Sequence, residues 1–245
     1  MVSSVGTTSG TSLLSQAITA AKSNAATNAA SASSSTSTSS SSSSTSLSSL
    51  GGNFNQFLTL LTTQLQHQDP SNPTSTDSFT AELAQFAGVQ QQVETNSNLT
   101  NLISATQDNQ MASAVSLIGK TTTASSSSLP LQSGSASMSF TAPQAGDVAI
   151  AVTDSSGNVV KSETVNASAG TNTWQWDGTN NSGTQLTDGA YTVAVEGSST
   201  DGTSVALPTT VTGLVTGVSK SASGVNVDMG NATIDMSNLT GFSGT

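Results

Sequence analysis

Two apolar stripes with the period of an α-helix meet at a proline-containing break near the middle of the N-terminal half. The first stripe consists of Phe54, Phe57, Leu58, Leu61 and Leu65. Spacings of three and four residues place all of these side chains on one face of a helix. That helix has to end at the break, because Pro70 and Pro73 lack an N–H and Pro70 pushes Asp69 out of the helical conformation.

The second stripe follows the break and contains no proline. Its members are Phe79, Leu83, Phe86, Val89 and Val93, continued by Leu99, Leu102, Ile103, Met111, Ala114 and Leu117. An unbroken helix from about Asp77 to Ile118 is roughly 60 Å long at about 1.5 Å per residue, and only Gly88 weakens it. Because the helix is thinly apolar and rich in Gln and Asn, we expect it to pack against a partner chain. The predicted subunit contacts are Phe79, Leu83, Phe86, Val93, Leu99 and Leu102.

The two stripes and their break together resemble the N-terminal signature of the flagellar hook-capping family, FlgD. The matching pieces of FLTLLTTQLQHQDPSNPTSTDSFTAELAQF are FLxLLxxQL, QDPxxP and xxLAQF, in that order and closely spaced. A looser match extends from about Asn53 to the end of the chain. The resemblance implies a non-enzymatic scaffold of hook assembly that forms a homo-oligomeric cap, by family analogy a pentamer. Such a cap sits at the tip of the growing hook and promotes the insertion of hook protein, without being part of the finished hook.

The composition excludes several other classes of protein. Charged residues make up 7% of the chain, against about 25% in typical soluble domains. Four lysines, no arginine and a net charge of −10 offer no basic patch for nucleic acid. No apolar run approaches the ~20 residues needed to cross a bilayer, so membrane insertion is not expected. The N-terminus also lacks the basic start and apolar core of a secretory signal.

Two stretches of the N-terminal half bear on how the chain reaches the hook. Residues 1–53 carry one charged side chain, Lys22, and residues 31–50 are almost all Ser, Thr and Ala, so residues 1–52 are predicted to be a disordered tether. The resemblance implies export through the flagellar type III apparatus without a cleaved signal, after synthesis in the cytoplasm. The run FLTLL, with Phe57, Leu58, Leu60 and Leu61, is the candidate motif for the export gate. It is equally a helix face that becomes buried after assembly, and we expect both uses at different times.

From about Gly119 the apolar period changes from that of helices to the alternation of β-strands. The residues predicted to form the core of a sandwich are Val148, Ile150, Val152, Trp174, Trp176, Tyr191 and Val193. One-sided alternation predicts antiparallel sheets, each with one face in water. The WDGxNxxGxxLxDGxYTVxV pattern is similar to the immunoglobulin-like or fibronectin-III-like module of hook-cap proteins. In that family the module is inserted in a small Tudor-like barrel.

The predicted fold class is therefore α+β and multidomain. The predicted segments are a disordered export and tether segment at 1–52, a helical hook-cap region at 53–118, the first part of the barrel at 119–138, the sandwich at 139–203, and the second part of the barrel with the C-terminus at 204–245.

Few residues are available for catalysis or metal binding. The chain has one histidine, His67, which is predicted to cap a helix end, and it has no cysteine or arginine. Asp177 and Asp188 are the nearest candidate for a carboxylate pair, and the loop between them faintly resembles a calcium loop with Ser182 where glycine is needed. We expect a polar hairpin loop there, no cofactor, no metal and no enzymatic site.

The alternative to a hook-assembly scaffold is a secreted adhesive or carbohydrate-binding β-sandwich. Its binding site would consist of exposed aromatic side chains and polar loops between Trp174 and Asp188. That alternative does not require QDPSNP between two amphipathic helices, which is why the scaffold is favoured.

Overall fold

The computed structural model describes residues 10–34, 63, 76–221 and 224–243. In these residues the chain is an α+β protein with two helices and thirteen strands, all of them paired antiparallel. Neither helix is long and apolar enough to cross a membrane. The first predicted helix and the proline break lie outside the described residues, as do Phe57, Leu58, Leu60, Leu61, His67, Asp69, Pro70 and Pro73.

Helix α1 covers Gly10–Ser34, where the sequence had predicted disorder. The prediction was wrong for these residues because it weighed total apolar content rather than spacing. Leu13, Ala17, Ala21 and Ala25 recur every four residues and are buried. Alanine has the highest helix propensity of all residues, and no proline or internal glycine interrupts the segment. The helix belongs to the same compact unit as residues 107–245.

Helix α2 is continuous over Thr76–Ala114 and ends in a short 3₁₀ turn at Val115–Leu117. The sequence left open whether the second stripe forms one continuous helix, and the 39 residues of α2 show that it does from Thr76 to Ala114. Gly88 lies inside it, and a methyl group at that position would meet nothing within 4 Å. The glycine is therefore tolerated without any packing requirement, at a cost of about 1 kcal/mol relative to alanine.

The strands form three sheets. Their bounds are β1 Thr121–Ser125, β2 Ser128–Leu131, β3 Ala136–Ala142, β4 Gly146–Thr153, β5 Val159–Ala167, β6 Gly170–Trp176, β7 Gly189–Ser198, β8 Ser204–Ala206, β9 Thr209–Leu214, β10 Gly217–Ser221, β11 Gly224–Met229, β12 Ala232–Asp235 and β13 Leu239–Ser243. The first sheet has the order β13-β1-β9-β3-β6, the second β2-β7-β4-β5 with β8 on the edge of β7, and the third β10-β11-β12. The second sheet and the β3 and β6 end of the first form the sandwich.

The core of the sandwich is built from the alternating residues of these strands. Val148, Ile150, Val152, Trp174, Trp176, Tyr191 and Val193 all lie in one buried cluster. The ring of Trp176 stacks on Trp174 with centroids 6.4 Å apart, and it meets Tyr191 edge-on at 5.1 Å. Because Tyr191 lies on β7 and Trp176 on β6, this aromatic contact joins the two sheets. The sandwich also starts earlier than the predicted residue 139, since β2 pairs with β7 along its whole length.

The outer face of the second sheet differs from the prediction of a wet face. Ala149, Ala151 and Ala194 alternate with the core residues of β4 and β7, and all three are buried under α1. As a result both faces of these two strands are buried. Alanine at the outward positions allows the helix to approach the sheet closely.

Strands from both flanks of the sandwich come together beside it. The first flank is rich in serine, yet it forms β1, which pairs with β9 on one side and β13 on the other. The alternation places Thr122 and Ala124 of β1 in the interior. The β10-β11-β12 sheet adds Val227, Met229 and Ile234 to the same core cluster. Flanking strands therefore do pair across the sandwich insertion, and the Tudor-like assignment stays a prediction.

Gly213 marks the closest approach between these layers. A methyl group there would lie 2.8 Å from Met229 Sδ on β11 and 2.8 Å from Pro130 Cγ on β2. We predict that Gly213→Ala lowers the free energy of unfolding by about 1–3 kcal/mol, because an extra methyl group overpacks a filled core. Urea denaturation followed by tryptophan fluorescence measures this loss.

Gly217→Ala is the matched control, since its methyl group would come no closer than 3.6 Å to Asp228. Its stability should equal that of the unsubstituted protein or exceed it slightly. Equal stabilities for the two variants would contradict the close packing of β9 against β11 and β2.

Candidate functional site

The exposed apolar face of α2 is the first candidate surface. Leu99 is 51% exposed, Leu102 64% and Ile103 58%, and Val89 is also exposed two turns or more upstream. Val93, between them, is half-buried. The side chains of Phe79, Leu83 and Phe86 lie outside the described ones, so their part in subunit contacts stays a prediction.

The polar residues on α2 are compatible with burial of this face. The hydroxyls of Thr95, Thr100 and Thr106 donate to the backbone carbonyls of the residues four positions earlier, at 2.7–2.9 Å. A hydroxyl satisfied within its own helix does not need water when a partner approaches. Glu94 is the one charged residue between 84 and 106. Burial of one exposed Leu or Ile side chain contributes about 1.5–3 kcal/mol, so this face favours association with another apolar surface.

The C-terminal end of α2 is tied to the β region. Met111 is half-buried, and Ala114 and Leu117 are buried. Lys220 Nζ on β10 donates to Asp108 Oδ1 at 2.8 Å. Both side chains are partly exposed, so the ion pair contributes at most about 1 kcal/mol and is weakened by salt. The apolar contacts of Ala114 and Leu117 therefore hold this end of the helix.

The second candidate surface is the sheet face that α1 covers. Leu13, Ala17 and Ala21 pack against Ala149, Ala151 and Ala194. Sequence reasoning missed this contact. The sequence held two signals for it. An apolar residue recurs at every fourth position from Leu13 to Ala25, and alanine rather than a polar residue stands at the outward positions of β4 and β7.

The two acids of the polar loop between Trp176 and β7, Asp177 and Asp188, do not act as a pair in the structure. Asp188 accepts hydrogen bonds from the backbone N–H groups of Ser133 and Gly134 at 2.7 and 2.9 Å, so it caps a neighbouring turn. Asp177 Oδ1 accepts from the backbone and the hydroxyl of Thr179. The two carboxylates thus serve two different turns. Among the described residues, no group of three or more acidic, His or Cys side chains is arranged to hold a metal ion.

Both tryptophans of the candidate adhesive site are interior residues. Trp174 is 7% exposed and Trp176 is 2% exposed. Their indole N–H groups donate to a Glu163 carboxylate oxygen and to the Thr179 carbonyl, respectively. Rings that are buried and already hydrogen-bonded cannot stack on a sugar. An open groove of about 730 Å³ lies beside Trp176, and its lining also includes Asp177, Pro130, Leu214 and several Ser, Thr and Gln residues.

Two models of protein families match this chain. A family model described as "Flagellar hook capping protein - N-terminal region" matches residues 11–101, and one described as "FlgD Ig-like domain" matches residues 125–201. The chain belongs to the FlgD family. The first match includes α1 and most of α2, and the second begins close to β2, in agreement with the early start of the sandwich.

Two curated FlgD proteins agree with this assignment. The basal-body rod modification protein FlgD of Salmonella typhimurium is 31% identical over 176 residues, which is 68% of this chain and 75% of that protein. The Escherichia coli K12 protein of the same name is 32% identical over 164 residues, 63% of this chain and 71% of that one. A crystal structure of FlgD from Xanthomonas campestris shares 28% identity and covers 55% of this chain and 99% of its own, with a TM-score of 0.47.

Membership in FlgD makes this a structural protein of flagellar hook and rod assembly, with a flagellar location. The family is not a known family of enzymes. The exposed face of α2 and the sheet face under α1 are therefore considered as candidate surfaces for contacts with other proteins.

Three turn carboxylates make the stability of the β region depend on pH. Hydrogen bonds from Thr179 lower the pKa of Asp177 below its usual 3.8, and those from Thr203 do the same for the pKa of Asp201. Burial alone raises the pKa of Asp154, but hydrogen bonds from Asn158 and its neighbours in the turn outweigh it, so that pKa is also lowered.

A carboxyl whose pKa is lower in the folded than in the unfolded state stabilises the fold above the unfolded value, and the stabilisation disappears as pH falls through the folded value. We predict that the urea midpoint stays level from pH 7 to about 5 and declines below about pH 4. The triple variant Asp154→Asn, Asp177→Asn, Asp201→Asn should show a shallower acid decline. An unchanged decline would show that these turns do not carry the effect.

Proposed function

We propose that this protein forms the homo-oligomeric cap at the tip of the growing flagellar hook, by family analogy with five copies, and that the cap promotes the insertion of hook protein subunits. The observation that carries the proposal is the apolar face of α2, where Leu99, Leu102 and Ile103 are more than half exposed in the single chain. A long helix with such a face and almost no charge is suited to a neighbouring helix or to the hook tip.

The mechanism is mechanical rather than chemical. In this proposal α2 contacts neighbouring cap subunits and the hook tip, while the β region forms the outer plate over the space in which hook subunits fold. A cap has to shift each time a subunit is inserted, and it is absent from the finished hook. Contacts based on a few Leu and Ile side chains among Gln, Asn and Thr are specific yet breakable, which suits repeated rearrangement.

Export precedes assembly in this scheme. The chain leaves the cytoplasm through the flagellar type III apparatus without a cleaved signal, and the run from Phe57 to Leu61 serves as the motif that the export gate reads. A short apolar motif can be read in an unfolded chain and buried later, when the helix forms. The motif lies outside the described residues, so the support comes from its sequence alone.

The alternative function, adhesion or carbohydrate binding through the sandwich, has less support. It depends on exposed aromatic side chains, whereas Trp174 and Trp176 are buried and their N–H groups are paired. Loss of adhesion with normal motility in a gene-deletion strain would favour it. Loss of hooks with an intact rod would favour the cap.

The role of α2 is tested by replacing its exposed apolar residues. We predict that Leu99→Gln, Leu102→Gln, Ile103→Gln abolishes self-association in sedimentation velocity runs and fails to restore hooks in the gene-deletion strain. Glutamine keeps the helix propensity and the length of the side chain, so the helix itself should persist by circular dichroism.

The matched control is Ser97→Gln, Asn101→Gln, which changes two exposed polar residues on the opposite face of the same helix at 100° per residue. It should assemble and restore hooks normally. Self-association that survives the triple change would contradict the proposed contact surface, and wild-type hooks in that strain would contradict its role in the cap.

The export motif is tested separately. We predict that Phe57→Ala, Leu61→Ala reduces secretion of the protein into the medium at least about tenfold, because the gate loses both apolar side chains that it reads. Immunoblots of culture supernatant and cell pellet measure the ratio. Thr59→Ala, Thr62→Ala, on the other side of the same segment, should be secreted normally, and normal secretion of the first variant would defeat the assignment.

A further inference from the structure

The contact between α1 and the outer face of the β2-β7-β4-β5 sheet is a specific docking site. On the sheet side its apolar part consists of alanines, and on the helix side Leu13, Ala17 and Ala21 are buried, with Leu14 and Ile18 packed beside them. The alanines on both sides let the helix backbone come close to the sheet. We call the covered residues Ala149, Ala151, Thr153, Thr192 and Ala194 the docking face.

Polar contacts set the position of the helix on this face. Asn28 Nδ2 donates to Thr192 Oγ1 at 3.2 Å, and Asn24 Nδ2 approaches the Val193 carbonyl at 3.5 Å. From the sheet side, Thr153 Oγ1 donates to the Ala21 carbonyl at 3.4 Å. Any helix presents such a carbonyl, and Thr153 Oγ1 also donates to the Thr192 carbonyl at 3.4 Å. A preference of the face for the sequence of α1 therefore comes from Asn24 and Asn28, of which Asn28 contacts the buried Thr192.

The chain connection is long enough for α1 to reach another copy of this face. Residues 35–75, 41 in number, separate the end of α1 from the start of α2. A segment of that length spans about 60 Å if helical and about 135 Å if extended. No hairpin or short loop joins α1 to the strands it covers, since β4 begins more than 100 residues after the helix ends. Among the residues that the structure describes, the docking contact is what holds α1 in place.

We propose that in the assembled oligomer the docking face of each subunit binds α1 of a second copy, so that α1 is exchanged around the ring. This inference rests on the proposed self-association. The contacts within one chain and between two chains are identical, so the two arrangements differ only in the local concentration of α1.

Exchange in one direction is a head-to-tail contact, which closes into a ring when the rotation between subunits allows it. It also gives the cap a second kind of link. The faces of α2 can separate and re-form while each subunit stays tethered to its neighbour through α1 and a 41-residue connector. A cap that shifts at every insertion can then remain one assembly.

The chain has no cysteine, so introduced cysteines report this contact without background. We suggest co-expressing Asn28→Cys and Thr192→Cys as two separate single variants with tags of different length, in the otherwise complete chain. Oxidation or a short bis-maleimide, followed by non-reducing electrophoresis of the oligomer fraction, detects any link between the two tags. Exchange predicts links at about a quarter of the interfaces in a randomly mixed ring.

The double variant with both cysteines in one chain checks that the pair is close enough to react. It should form a ladder of linked chains in the oligomer if α1 is exchanged, and only intrachain closure if it is not. Lys22→Cys co-expressed with Thr192→Cys is the control, because Lys22 is exposed on the other side of α1 and should give no link.

Three results overturn the proposal in distinguishable ways. Intrachain closure alone in an intact oligomer excludes exchange and leaves the cap standing. A monomeric protein in sedimentation runs at every concentration removes both exchange and the proposed self-association. A double variant that closes neither way excludes the docking of α1 itself.

Discussion

The contact between Trp176, Trp174 and Tyr191 is the constraint on which the β region depends. Trp176 stacks on its neighbour along β6 and meets Tyr191 of the opposite sheet edge-on, so one side chain spans both layers of the sandwich. Its indole N–H reaches the Thr179 carbonyl, which secures the start of the loop that leads to β7. With the two sheets held at this distance, the outer face of the second sheet is in place for α1 to pack against it. The Tyr191 hydroxyl donates to the Thr187 carbonyl and completes the same loop from its other end.

The two helices meet this framework differently. α1 carries one narrow line of alanines. This line packs against the outer face of a sheet in the same compact unit. α2 keeps Leu99, Leu102 and Ile103 exposed in the described part of the chain. An assembly protein needs exposed apolar surface of this kind, because its burial against a second chain adds a new contact to those already made within one chain. The low charge of both helices removes the repulsion and the desolvation cost that charged side chains impose on such contacts.

The accuracy of the predictions made from the sequence differs from element to element. The proline-free period from Phe79 onward predicted α2 almost to its last residue, since a helix of that length is determined by local spacing and by the absence of breakers. The alternation of Val148, Ile150 and Val152 likewise predicted the inner face of β4. The candidate acid pair was placed correctly in a polar loop, but its two members turned out to cap separate turns, because hydrogen bonds to Ser133 and Gly134 come from a part of the chain more than fifty residues away. The predicted start of the sandwich, residue 139, leaves out β2 for a similar reason. This strand joins the sandwich through its pairing with β7, which lies far away in the sequence.

Local patterns in the sequence determined the long helix and the alternating strands by themselves, because period, proline and turn residues act over a few positions. The resemblance to the family was carried by the ordered motifs FLxLLxxQL, QDPxxP and xxLAQF. The tertiary structure alone decided that residues 10–34 form a helix with a place to bind. Leu13, Ala17 and Ala21 are as acceptable in a polar, serine-rich segment as in an interface, and their burial depends on Ala149, Ala151 and Ala194, more than a hundred residues away. Small side chains carry little hydrophobic signal one at a time. Their stabilising contribution appears only when two such surfaces are brought together closely enough to exclude water.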